Sequence, residues 1–175
     1  MERARERVVL EGLVAGLLAY GVVAVVFAVA DIVLGRGLFH TPAVIGNLLF
    51  YGGLDPTASV TAGPVAAANG VHIALSMLVG LAAALLVHET ELHPQLFYIS
   101  FLVVVFFLLA STAILLGIPS AITRAAPWAV TLVANLAGAL VAGAYLWRAH
   151  PALRGALEDT GAEKEEAEPA TPPAK

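Results

Sequence analysis

The chain has no cysteine, few charges and none of the common nucleotide- or metal-binding signatures, and each absence removes a class of function. Without cysteine there are no disulfides, iron–sulfur clusters, thiolate zinc sites or thiol nucleophiles. Lys plus Arg number 9 against 13 for Asp plus Glu, a formal charge of −4, so no basic stripe is present to neutralise phosphates. That excludes a sequence-specific nucleic-acid binder. No GxxxxGK[ST], HExxH or GxSxG occurs, and Ser111, Thr112 and Ser120 have no base near them in sequence, so nucleophilic catalysis has no support. Nor are there paired, interrupted spans in two halves, as in many secondary transporters.

What is present is apolar. Of 175 residues 59% are hydrophobic and 13% charged, with a mean hydropathy of +0.87, where a soluble domain is about half apolar and a quarter charged. The composition is that of an integral membrane protein. About 20 apolar residues cross the hydrocarbon core as a helix, so a chain of this length has room for at most about five spans. Arg outnumbers Lys 7 to 2 and Ala, Gly and Val dominate, the composition of a GC-rich bacterial genome. The bacterial cytoplasmic membrane is the expected location.

Four spans are expected within a transmembrane domain over residues 1–155. The first covers about 8–34, longer than the roughly 7–15 residues of a signal-peptide core, although MERARER and Ala28-Val29-Ala30 imitate a signal and its cleavage site. The second covers 64–88, entered through Pro64; the third 96–117, stopped by Gly117-Ile118-Pro119; the fourth 127–149, followed by His150-Pro151. Between the first two, Thr41-Pro42 reads as an N-cap and first turn of a short outer helix over about 42–51, closed by Gly52-Gly53. Such a helix is too short to span and is expected to be interfacial or re-entrant. Residues 156–175 are rich in Glu, Ala and Pro and read as a disordered acidic cytoplasmic tail, whose six acidic residues and two lysines account for the whole net charge. The resemblance of VHETELHPQL to YLWRAHPALR is slight and is read as chance rather than duplication.

With four spans both termini share a side. That side carries Arg3, Arg5, Arg7, Arg148 and Arg154, and the other Arg36 and Arg124, which places both termini in the cytoplasm. Trp128, Tyr145 and Trp147 fit the aromatic belts of the two interfaces. Small residues at four-residue spacing, Gly12 and Gly16, Gly80, and Ala134, Gly138 and Ala142, mark helix-packing faces. The third span is bulky almost all round and is the face expected to meet lipid or a partner subunit.

Ionisable residues inside a span cost about 2.5–3.5 kcal/mol at its centre and so attract functional readings. Asp31, Asn69, His72 and Asn135 fall in the outer half and are expected to line a polar pocket covered by the helix that carries His40, able to bind a proton, a cation or a ligand. The plainer reading, which comes first, is interhelical glue at about 0.6 kcal/mol per bond. No cofactor is expected. A single haem b on His72 and His40 is the remaining alternative, since His72 and His88 point to opposite sides of their helix and do not suit a two-haem stack. His88, Glu89, Glu91 and His93 read as a solvated turn whose ligands do not converge on a metal, His150 as a span terminus, and Glu11 as a partner for an inner arginine. The expected function is a non-enzymatic accessory or assembly subunit that contacts the bilayer and a membrane partner or a second copy; the alternative is a proton-, ion- or ligand-binding protein using the outer pocket.

Overall fold

The computed structural model describes residues 2–53, 60–116 and 126–151. All regular structure among them is helical and no strand occurs: α1 is Glu2–Val33, α2 His40–Phe50, α3 Ala62–Leu92, α4 Phe97–Leu116 and α5 Trp128–Ala149, with a 3-10 turn at Pro94–Leu96 before α4. Three helices, α1 from Arg5, α3 and α5, are long and apolar enough to cross a membrane, an arrangement compatible with a membrane protein. Three candidate spans thus stand among the described residues; α4 is apolar over its 20 residues, and its side chains lie only partly among those described. The stop at Gly117-Ile118-Pro119 and the tail over 156–175 lie outside the described residues.

The long helices overrun their apolar segments at one end of the bundle. α1 begins at Glu2 rather than near Val8, and α3 continues to Leu92 rather than stopping near His88. The extra turns contain good helix formers, and Arg7 and Glu11, four residues apart, form an ion pair that supports the first of them. At the other end Pro64 lies in the first turn of α3 and Pro127 occupies the N-cap of α5, positions where the missing N–H is no loss.

α1 is the spine of the bundle, packed along one side by α3 and along another by α5, while α3 and α5 barely touch each other. Glycine makes the first contact possible. A Cβ at Gly12 would lie 2.6 Å from the Leu81 Cα, at Gly16 2.7 Å from the Met77 Cα, and at Gly80 2.7 Å from the Gly16 Cα. The two backbones therefore approach more closely than any side chain permits. α5 packs less tightly, its Gly138 facing Val23 and the Ala19 carbonyl, with Ala134 buried one turn away. Ala142 lies half-buried against a small core of Val8, Ala15, Ala84 and Leu146, where the three helices come together. α2 lies across the start of α3, with Gly46 against the backbone of the buried Pro64. α4 leans lightly on α3 and α5 and leaves Tyr98, Phe101, Leu102, Phe106 and Leu109 exposed.

Replacing Gly16 or Gly80 with Val must force α1 and α3 apart. Thermal unfolding in detergent, followed by circular dichroism, is expected to show a loss of about 1–3 kcal/mol for either variant. Gly70→Ala is the control: its Cβ would meet nothing within 4 Å, and the higher helix propensity of Ala, worth about 1 kcal/mol, should leave the protein as stable or more so.

Candidate functional site

Polar side chains inside the bundle gather at three levels along α1, each with its own partners. At the α2 end is Asp31, 1% exposed and the largest fully buried side chain of the described core. Its carboxylate accepts from the Thr41 backbone N–H at 2.8 Å and from the Thr41 hydroxyl at 2.7 Å. Thr41 thus lies inside the first turn of α2 and is not its N-cap; that position is Phe39, which makes no side-chain cap bond. Asp31 supplies the missing cap from the preceding helix, its negative charge facing the positive end of α2. The turn that returns the chain to Asp31 uses Gly35 and Gly37, at φ 69° and 87°, a region unfavourable for other residues.

The second level is near mid-span. The Tyr20 hydroxyl donates to the Asn69 side-chain carbonyl at 2.8 Å, and the Asn69 amide donates to the Val65 carbonyl at 2.8 Å. The His72 ring meets the Tyr20 ring edge-to-face, centroids 5.2 Å apart, and is half-buried. Eleven residues of α1 separate Tyr20 from Asp31, an axial distance of roughly 16 Å.

The third level, at the end where α1 begins, joins three helices around one imidazole. His150, immediately after α5 and 4% exposed, has Nε2 2.9 Å from a Glu11 carboxylate oxygen of α1 and Nδ1 2.9 Å from a Glu91 carboxylate oxygen of α3. Arg7 holds the other Glu11 oxygen through Nε at 2.8 Å and donates from Nη2 to the Ala149 carbonyl at 2.9 Å. The arginine reaches outward, its side chain 64% exposed, so the charge is hydrated while its fork closes the end of α5. Both Glu11 oxygens and one Glu91 oxygen have a nitrogen partner, which is what allows Glu11, Glu91 and His150 to lie largely out of water.

The five residues expected to form an outer pocket are thus distributed rather than gathered. Asn69 and His72 share the Tyr20 level. Asp31 is a helix cap, and His40 begins the helix that Asp31 caps, about 16 Å along the axis from His72. Asn135 lies on α5, half-buried and engaged, one residue from the buried Ala134. His72 and His40 are therefore not placed as a pair of axial ligands. Thr131, on the same helix face, turns its hydroxyl back to the Pro127 carbonyl at 3.3 Å. Among the described residues no three His, Asp or Glu side chains converge as a metal site. Tyr20, Arg7, Glu91 and His150 acquire their importance from pairings that no single segment displays. Comparison with known proteins finds no matching family model, no matching curated protein and no matching solved structure.

Asp31→Ala should release α2 while leaving α1, α3 and α5 packed. A cap lost in this way is worth about 1–2 kcal/mol, and amide hydrogen exchange over His40–Phe50 is expected to quicken about tenfold in the variant with no change in α3. Equal acceleration in both helices would show that Asp31 serves the whole bundle rather than α2.

Proposed function

We propose that the protein is a small non-enzymatic membrane subunit, accessory to a larger membrane complex, with four spans, both termini in the cytoplasm and the bacterial cytoplasmic membrane as its location. One observation carries this reading: the polar groups at two of the three levels of the bundle are consumed by bonds to one another or to backbone, while the bulky face of α4 is left outside. A bulky helix whose described side chains are mostly exposed and which leans only lightly on its own bundle is suited to contact with another membrane protein or with a second copy of this chain. Extraction of the tagged full chain in a mild detergent should recover a stoichiometric partner, and Phe101→Ala with Phe106→Ala should reduce that recovery at least tenfold. Isolation as a lone monomer that retains its cellular function would defeat the reading.

A second reading is favoured by the Tyr20–Asn69–His72 group, whose imidazole is only half-buried within a membrane-spanning helix. It makes the protein a handler of protons, ions or a small ligand. His72→Leu discriminates: loss of function from a protein that still assembles supports this second reading, and unchanged function removes it.

A further inference from the structure

The imidazole of His150 is the point at which α3 is tied to α5. Elsewhere the two helices scarcely meet, each being packed instead on α1. An ionised carboxylate only accepts hydrogen bonds, so bonds from both ring nitrogens, to Glu11 and to Glu91, require a proton on each. In that form Arg7, His150, Glu11 and Glu91 sum to zero charge. With one proton fewer, a ring lone pair would face a carboxylate across 2.9 Å and the cluster would carry an excess negative charge in a poorly hydrated site.

The two sides of the ring are not equivalent. The Glu91 side chain is 19% exposed and that of Glu11 10%, so the Nδ1 proton has the shorter way to water. The Nε2 side is further reinforced, because Arg7 holds Glu11 and also the Ala149 carbonyl, binding α1 to the end of α5 by a route that does not use the imidazole proton. Among the described residues the groups bonded to the ring are Glu11 from α1 and Glu91 from α3, with Arg7 behind Glu11 and Tyr145 of α5 against the adjacent core. Within this cluster only the imidazole can present a donor at either one or both of its two ring positions.

We propose that the Glu11–His150–Glu91 bridge is a proton-binding latch: with the imidazole doubly protonated α3 is fastened to α5, and loss of the Nδ1 proton to water unfastens α3 alone, leaving α5 on α1. The link is present while both ring nitrogens carry a proton and absent when Nδ1 is bare.

The absence of cysteine makes the test direct, because two introduced cysteines can carry spin labels without background. Leu92→Cys with Trp147→Cys reports the α3–α5 separation, and Leu10→Cys with Trp147→Cys reports α1–α5; all three positions are exposed. In the full chain in lipid nanodiscs, pulsed dipolar spectroscopy at pH about 6 should give one narrow α3–α5 distance that broadens and lengthens at pH about 8.5, with the α1–α5 distance fixed. His150→Gln should show the broad distribution at both pH values. Glu91→Gln, whose amide can donate to a bare Nδ1 or accept from a protonated one, should stay narrow at both. An α3–α5 distance indifferent to pH in the unaltered cluster overturns the latch. So does joint widening of both pairs, or a pH response that survives in His150→Gln.

Discussion

Everything in this bundle depends on how closely α1 and α3 approach. Helices surrounded by hydrocarbon gain little by hiding apolar side chains from one another, so their association relies on dispersion between closely packed backbones and on a few hydrogen bonds. Gly12, Gly16 and Gly80 provide that approach, and by fixing the axial register of the two helices they decide which polar residues become neighbours. With Gly16 beside Ser76 and Met77, Tyr20 comes level with Asn69 and His72, and the start of α1 comes level with the end of α3. A one-turn slip would move every one of these partners by about 5.4 Å and leave carboxylates and amides facing lipid.

The three polar levels perform different physical work within this frame. The Asp31 cap makes a bond between successive elements and fixes the start of a short helix that packs on α3 with Ala43, Val44 and Gly46 buried. The Tyr20–Asn69 bond is a neutral pair between helices already in contact, worth tenths of a kcal/mol rather than several. The cluster at the far end is of another kind, because its members are ionisable and it joins α3 to α5, which otherwise barely touch. Breaking one partner out of such a group leaves an uncompensated charge, which costs more than the pair itself contributes.

How much of this was legible in the sequence divides along the same line. Hydrophobic runs and prolines located the long helices to within a few residues, and glycine spacing marked the faces on which they pack, because both signals are local. Helix ends were less legible: MERARER and HETELH read as flanking polar segments, whereas helix propensity and the Arg7–Glu11 pair carry the helices through them. Partner choice was the least legible. Thr41-Pro42 marks a helix start, but Thr41 is not its N-cap; the capping carboxylate is Asp31, ten residues earlier across a glycine turn, and nothing local to either residue displays that pairing. Glu11, Glu91 and His150 each had a sufficient explanation alone. The missing step was topological: α1 starts, and α3 and α5 end, at the same end of the bundle, so Glu11 about two and a half turns into α1, Glu91 at the end of α3 and His150 just after α5 belong to one level.

The central position of α1 has a consequence for the order in which the molecule is assembled. A bundle in which every helix touches its neighbours can be built from any pair, but here α3 and α5 have almost no shared surface, and neither can organise the other. The helix on which both depend precedes them in the chain and leaves the ribosome before either. α3 and α5 therefore each follow the helix that carries their docking surface. The far-end cluster would then be the last part completed, since Arg7, Glu11 and Glu91 wait for His150, the final side chain of the set to be synthesised.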